Sequence, residues 1–114
     1  MTRRKTGPDK ATVALVRARD NDQCRRCRRE YQQIHHRKPR GMGGTRDPAI
    51  NGAENLVCVC QDCHHWIETH RVDALRDGWL VSQWGDPAST PIIINHLPVW
   101  LSPDGFSHPQ KEIA

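Results

Sequence analysis

The chain has 114 residues, 36% of them hydrophobic, which allows one small domain with a core of modest stability. No apolar run approaches the roughly 20 residues that cross a bilayer, and no signal-like segment follows the first residues, so we expect a cytoplasmic protein with no membrane partner. Residues 1–40 carry 13 Lys and Arg against 4 Asp and Glu, whereas residues 41–114 carry 4 against 9, and so basic a first part indicates an anionic polymer as partner.

The first predicted element is a helix that follows a basic arm. Residues 1–6 are expected to form a flexible arm. Pro8 and Asp9 favour a helix start, because proline fits the first turn and aspartate suits the positive end of a helix. Apolar residues then recur at helical spacing up to an end near Asp20.

Two predicted strands enclose an irregular segment. Residues 31–37 and 56–60 are predicted as short strands, with Ile34 facing inward and the second strand indicated by β-branched alternation. The segment 38–54 is rich in Gly and Pro, and irregular loops of this length are usually functional or disordered.

A helix is predicted over residues 61–78, with its end at Gly78. The remainder, 79–114, is predicted to be a small C-terminal β extension with short strands at 79–81, 91–94 and 99–101. The tryptophans are predicted to pack in the core and in turns; they are Trp66, Trp79, Trp84 and Trp100.

Four cysteines form two CxxC pairs separated by 32 residues; they are Cys24, Cys27, Cys60 and Cys63. Two such turns can place four thiolates around a tetrahedral zinc ion, which would supply folding energy to a small domain. A redox dithiol and ordinary buried cysteines are the competing interpretations, but the βαβ pattern typical of a redox CxxC is absent. Cys58 is predicted to be a small core residue.

The order of histidines, loop and asparagine resembles that of the HNH endonuclease family, with its ββα-metal (His-Me finger) core. The resemblance is carried by Ile-His-His-Arg-Lys-Pro-Arg-Gly-Met-Gly-Gly at 34–44 and Glu-Asn-Leu-Val-Cys-Val-Cys-Gln-Asp-Cys-His at 54–64. The small basic format is similar to stand-alone HNH proteins of actinobacterial phages. The resemblance to the HNH family implies an α+β fold, with a ββα-metal core held by the four-cysteine zinc site. It also implies an HNH nuclease domain over 7–78.

The resemblance also implies the roles of the residues. His36 would be the general base that activates water, and His35 and His64 would be ligands of one catalytic divalent ion. Asn55 would position the loop of the base or contact the metal. Successive strand residues point to opposite faces, so the two neighbouring histidines can do different work.

The third ligand of the catalytic ion is left open between Glu68 and His70. Glu68 is four residues after His64, on the same helical face, whereas His70 could reach the ion only if the helix ended early. A carboxylate would favour Mg²⁺ or Mn²⁺, but the sequence does not choose among Mg²⁺, Mn²⁺, Ni²⁺ and Zn²⁺.

The expected function is metal-dependent hydrolysis of double-stranded DNA, by a monomer or weak dimer. The resemblance implies 5′-phosphate and 3′-hydroxyl products, and it suggests the phage terminase as a protein partner. The alternatives are a non-catalytic, zinc-containing DNA-binding module and a thiol oxidoreductase. Basic residues near the site are predicted to contact phosphates; they are Arg25, Arg26, Arg28, Arg29, Arg37, Lys38 and Arg40.

Overall fold

A computed structural model describes residues 7–39 and 48–110 of the chain, which form a small α+β fold. The basic arm at 1–6, Arg40 and most of the glycine-rich loop lie outside the described residues. The helices are α1 (Lys10–Arg19), α2 (Gln61–Thr69) and α3 (Arg71–Arg76), and the strands are β1 (Gln33–His36), β2 (Leu56–Val59), β3 (Ile92–Ile94), β4 (Leu97–Leu101) and β5 (Ser107–His108). None of the helices in the described ranges has the length and apolar character that crossing a bilayer requires.

Helix α1 ends where the sequence predicts and begins at Lys10, two residues after Pro8. Asp9 is its N-cap and accepts a hydrogen bond of 2.7 Å from the backbone N–H of Thr12. Asp20 is the C-cap, and Val16 is the fully buried residue of the apolar stripe. Pro8 precedes the cap instead of lying in the first turn.

The hairpin of β1 and β2 divides the core into two hydrophobic clusters. Antiparallel pairing sets His35 opposite Val57 and His36 opposite Leu56, so each pair shares one face of the hairpin. Val57 belongs to a cluster formed with α2 and the C-terminal part of the chain. Leu56 belongs to a smaller cluster formed with α1. Cys58 is fully buried in this smaller cluster, which confirms its prediction as a core residue.

The predicted helix over 61–78 is two helices with a break at His70. His70 has φ −123° and ψ 56°, which is not helical. The hydroxyl of Thr69 donates to the carbonyl oxygens of His65, at 2.9 Å, and Trp66, at 3.4 Å. Bonds of this kind from a threonine hydroxyl to the preceding turn slightly destabilise a helix and often bend it, which favours an end at this point. Beyond α3, Gly78 adopts the left-handed φ of +79° that suits the residue after a helix.

The C-terminal part contributes a second sheet, in the order β3–β4–β5. The predicted strand at 79–81 is absent: these residues are buried in irregular backbone with a bend at Trp79 and Leu80, and Val81 donates its N–H to the carbonyl of Arg37 at 2.9 Å. Trp79, Leu80, Ile92 and Leu101 join the same hydrophobic cluster as α2. Residues 79–110 therefore complete the core that holds the hairpin.

One tryptophan does not pack as predicted. Trp79 is 2% exposed, whereas Trp84 is 86% exposed on the turn that follows. The turn is closed by a hydrogen bond of 2.9 Å from the N–H of Gly85 to the carbonyl of Ser82. Trp84 stands in a turn but is mostly in solvent, so the prediction that the tryptophans pack in the core and in turns fails for this side chain.

A buried carboxylate joins α1 to the hairpin. Asp20 receives two bonds from the guanidinium of Arg19, at 2.8 and 3.0 Å, and one from Arg25 at 3.1 Å. It also accepts the backbone N–H of Cys58 at 3.0 Å. The side chain of Asp20 is fully buried and that of Arg19 is 2% exposed. The network fixes α1 against β2 and orders the chain before the first CxxC pair.

Replacing Asp20 by Asn should therefore destabilise the protein. Loss of the carboxylate leaves two guanidinium groups without their counter-ion, and breaking a buried pair in this way costs about 3 kcal/mol or more. Asp22→Asn is the matched control, because Asp22 pairs with Arg17 at 2.7 Å in an exposed position, where such pairs contribute less than about 1 kcal/mol. Urea unfolding of both variants measures the difference, and equal losses would show that the Asp20 network contributes little.

Candidate metal centres

The four cysteines of the two CxxC pairs form one cluster. The Sγ atoms of Cys24, Cys27, Cys60 and Cys63 all lie within 4.8 Å of one another. Those of Cys27 and Cys60 are 3.6 Å apart, and no disulfide joins them. A tetrahedral zinc ion with Zn–S bonds of about 2.3 Å would place its sulfurs about 3.8 Å apart. The spacing therefore fits a structural metal site.

The two CxxC turns reach this cluster from different elements. In the first turn, the N–H of Arg28 donates to the carbonyl of Cys24 at 2.8 Å, and Arg28 has a positive φ of 68°. In the second, Cys60 is the N-cap of α2, and its sulfur accepts the N–H of Cys63 at 3.4 Å. Burial opposes ionisation, but this N–H and the neighbouring thiols lower the pKa of Cys60 to about 7. A helix N-terminus thus helps to hold thiolate charge.

Arg26 covers the cluster from outside. Its Nη1 donates to the sulfur of Cys63 at 3.5 Å, and its guanidinium lies 3.8 Å above the ring of Trp66. Burial raises the pKa of Cys63 to about 12, and the bond from Arg26 acts in the opposite direction. A cation in this position offsets the negative charge of a four-thiolate site.

A second cluster of possible ligands lies at the other end of the hairpin. Ligand atoms of His35, His64 and Glu68 all lie within 4.8 Å of one another. The rings of His35 and His64 are 5.3 Å apart between centroids, and Nε2 of His64 is 3.7 Å from Oε1 of Glu68. The strand β1 supplies one group and consecutive turns of α2 supply the other two, as residues four apart share a helical face. Two nitrogens and one carboxylate leave further coordination positions for water or substrate.

His35 is held in the form that a metal ligand requires. It is 4% exposed, and its Nε2 donates to the backbone carbonyl of Trp79 at 2.8 Å. This bond leaves Nδ1 as the ring nitrogen with a lone pair to donate. Burial lowers the pKa of His35 to about 4, with the Trp79 carbonyl opposing that shift. The ring is neutral at pH 7, and a carbonyl partner on its second nitrogen is typical of metal-binding histidines.

His36 lines the same open groove as the second cluster. This β1–α2 groove is bordered by the four residues of β1, by Pro39 and Leu80, and by His64, Glu68 and Arg71. Nε2 of His36 is 2.9 Å from Oδ1 of Asn51. An amide oxygen accepts hydrogen bonds, so Nε2 carries the proton and Nδ1 is left to accept one. Asn51 was not identified from the sequence, because it lies in the segment without periodicity.

Asn55 is completely buried and fixes the chain after β1. Its Oδ1 accepts the N–H of Lys38 at 2.7 Å, and its Nδ2 donates to the carbonyls of Lys38, at 3.1 Å, and Ile50, at 2.8 Å. Of the two roles that the family resemblance leaves open, this geometry matches positioning of the loop.

His70 does not join His64 and Glu68. Helix α2 ends early, as a contact from His70 would require, but the ring stacks on Trp66 with centroids 5.2 Å apart. Its Nδ1 lies 3.0 Å from the hydroxyl of Thr69. Among the described residues, Glu68 is therefore the one that completes the second cluster.

Two of the expected phosphate contacts have internal roles instead. Arg37 is 0% exposed, and the prediction that it contacts nucleic acid is wrong. Its guanidinium donates to four backbone carbonyl oxygens, which belong to Glu54, Gly78, Pro87 and Thr90. Arg25 is half-buried and directed at Asp20.

The other cations near the first CxxC pair differ in exposure. Arg28 and Arg29 are exposed, and Arg29 pairs with Asp62 at 3.2 Å. Nζ of Lys38 donates to the carbonyl of Gly85 at 3.2 Å. Arg40 lies outside the described residues. The exposed cations of this set, Arg28 and Arg29, stand on the first CxxC turn, and neither borders the β1–α2 groove. The Arg or Lys that does border this groove among the described residues is Arg71.

Comparisons of the chain with protein-family models, with curated proteins and with solved structures find no match.

Proposed function

We propose that the chain is a metal-dependent endonuclease of the HNH type that hydrolyses phosphodiester bonds in double-stranded DNA. The single observation that carries the proposal is one groove that contains a His–His–Glu cluster and, beside it, a histidine outside the cluster. His35, His64 and Glu68 supply two nitrogens and one carboxylate, while His36 is bound to Asn51. Two neighbouring imidazoles in different chemical settings are what a hydrolase needs for a metal ligand and a separate base.

The four-cysteine cluster is proposed to hold structural zinc. Four thiol groups at this spacing suit zinc better than the hard ions Mg²⁺ and Ca²⁺, which prefer oxygen ligands. The second cluster suits a divalent ion of the Mg²⁺, Mn²⁺, Ni²⁺ or Zn²⁺ kind, held by His35, His64 and Glu68. Such an ion would supply charge stabilisation to the pentacoordinate transition state at phosphorus and to its leaving oxygen. In this proposal the cysteine cluster stabilises the fold, and the His–His–Glu cluster binds the catalytic ion.

The residues of the chain divide the remaining work. His36 Nδ1 accepts the proton of the attacking water, and the bond from Nε2 to Asn51 holds the ring and the positive charge that it gains. Asn55 fixes the segment that follows His36 through its three hydrogen bonds. His35 stays neutral and oriented by the Trp79 carbonyl. The expected products carry 5′-phosphate and 3′-hydroxyl ends, and a terminase partner remains part of the proposal through the resemblance alone.

His36→Ala should reduce nicking of a supercoiled plasmid by about 10² to 10⁴-fold, which is the usual contribution of a general base. His65→Ala is the matched control, because His65 is an exposed histidine on the same helix as the ligands, and does not border the groove. Gel conversion of supercoiled to open circular plasmid measures the rate, and metal content and melting temperature should match the wild type.

Two results would contradict the proposal. Equal nicking by wild type and His36→Ala would exclude His36 as the base. If the wild type binds DNA but cleaves it with none of the four ions, the chain is a zinc-containing binding module instead. A thiol oxidoreductase would instead show cysteines that cycle with dithiols and hold no metal.

A further inference from the structure

Arg71 is the permanent cation of the β1–α2 groove. Of the described residues that border this groove, it is the one Arg or Lys, and the others are apolar, polar, imidazole or, for Glu68, acidic. Arg71 is the first residue of α3, directly after the break at His70. Sequence patterns did not single it out, because it stands apart from the basic run at 25–40.

Arg71 pairs with the carboxylate of Glu68, through the oxygen that does not face His64. Nη1 of Arg71 lies 3.3 Å from Oε2 of Glu68, whereas Oε1 of the same carboxylate faces His64 at 3.7 Å. The side chain of Arg71 is 54% exposed. A guanidinium has five N–H donors, and contacts within the described residues account for one of them. A pair this exposed is weak, so the guanidinium can turn to a stronger anion at little cost.

We propose that Arg71 binds a phosphate of the nucleic-acid backbone next to the scissile bond; this inference rests on the proposed nuclease function. The planar guanidinium fork matches two oxygens of one phosphate, and its contact with Glu68 holds it at the ligand cluster before substrate arrives. The phosphate would then lie between Arg71 and the cation-binding cluster, with His36 along the same groove. Arg71 is a binding residue for substrate, and its contact with the backbone is independent of base sequence.

Four other described arginines that were expected to contact phosphates are directed elsewhere. Arg37 is buried among carbonyl groups, Arg25 is directed at Asp20, and Arg26 lies over Trp66. Arg29 pairs with Asp62 at the N-terminus of α2, whereas Arg71 follows the other end of that helix. Arg71 is thus the described cation that can reach a phosphate bound in the groove.

The experiment compares Arg71→Met with Arg76→Met in metal-loaded protein that also carries His36→Ala, so that DNA is bound and not cut. Arg76 is the matched control: it lies on the same helix, is exposed, and forms the same kind of pair three residues apart, with Asp73 at 3.1 Å. Affinity for a fluorescent DNA duplex is measured at several salt concentrations. The affinity of Mn²⁺ for the His–Glu cluster is measured in the same variants.

Arg71→Met should weaken binding about tenfold and reduce the slope of log K against log salt by about 0.9, the share of one phosphate contact. Arg76→Met should change neither by that much, and Arg71→Lys should keep most of the slope. The Mn²⁺ affinity should stay within about threefold, as expected if Arg71 acts on the DNA directly and not by positioning Glu68 for the ion.

Three outcomes would overturn the inference. An unchanged salt slope with weakened Mn²⁺ binding would make Arg71 a positioning residue for Glu68. Equal slope changes in Arg71→Met and Arg76→Met would indicate general charge attraction, and no change in either variant would exclude any phosphate contact. The proposed function is tested separately by plasmid nicking in protein with His36 intact. If the salt slope changes in Arg71→Met alone but the wild type does not nick plasmid, the phosphate contact is supported and the nuclease function is rejected.

Discussion

Removing the metal from the four-cysteine site should unfold the protein. Three of its cysteines, Cys24, Cys60 and Cys63, are themselves buried members of the larger hydrophobic cluster. The first CxxC turn contains no helix or strand; its backbone is held by an isolated bridge between Gln23 and Glu30 and by a bond of 2.9 Å from the N–H of Arg25 to the carbonyl of Cys58. Structural zinc sites in zinc-finger peptides contribute about 10–16 kcal/mol, which is comparable to the whole stability of a small domain, about 5–15 kcal/mol. A chelator should therefore abolish the near-ultraviolet circular dichroism of the tryptophans.

Cys63→Ser should have the same effect without chelator, because a serine oxygen is a poor fourth ligand for zinc. Cys58→Ala is the control: Cys58 is equally buried but lies in the other hydrophobic cluster, outside the site. It should remain folded and bind one zinc ion, with a loss of about 1 kcal/mol. Cooperative unfolding of the chelated wild type at an unchanged urea midpoint would exclude a structural metal.

Arg37→Met should destabilise the protein by more than about 4 kcal/mol. The guanidinium is completely buried and donates to carbonyl oxygens of four separate residues, at 2.6 to 3.1 Å. Burial lowers the pKa of Arg37 to about 9, so the group is still charged at pH 7. Methionine fills similar space but removes the donor that these four carbonyls share, at about 1–3 kcal/mol for each buried polar group left unpaired. The carbonyl of Pro87 keeps one bond, from the N–H of Thr90 at 3.3 Å. Urea unfolding of metal-loaded protein measures the loss.

Arg29→Met is the control for this variant. Both arginines were expected from the sequence to contact phosphates, but Arg29 is 71% exposed. Its substitution should change the free energy of unfolding by less than about 0.5 kcal/mol. Its larger effect should be on the affinity for DNA. A folded Arg37→Met protein with weakened DNA binding alone would show that the buried position of Arg37 is wrong. Arg37→Lys should not restore stability, because one ammonium group cannot span four carbonyls.

Local signals in the sequence located several elements and the cysteine cluster, whereas the family resemblance singled out His35 and His64 of the second cluster. A capping aspartate, a glycine after a helix and alternating β-branched residues act within a few positions, so the ends of α1, β2 and α3 follow from them. The CxxC spacing likewise gave the cysteine cluster, and the step of four residues from His64 gave Glu68. Whether the hairpin and α2 form a ββα-metal core remains a proposal.

The residues that the sequence misplaced depend on distant parts of the chain. Arg37 is buried because carbonyls from residues 54, 78, 87 and 90 meet around it, and no local pattern of charge reports that. Asn51 meets His36 across 15 positions, through a loop without periodicity. The break at His70 coincides with side-chain bonds of Thr69 that helical spacing does not encode. The exposure of Trp84 depends on the path of the turn that carries it, which the sequence does not reveal.

The two faces of the hairpin have a consequence for how this protein can change over evolutionary time. His35 shares its face with Val57 and the larger cluster, and His36 shares its face with Leu56 and the cluster on α1. Substitutions that repack one hydrophobic cluster can therefore leave the other cluster in place. Under the proposed function, a descendant could lose the proposed base and keep the proposed ligand cluster, or the reverse.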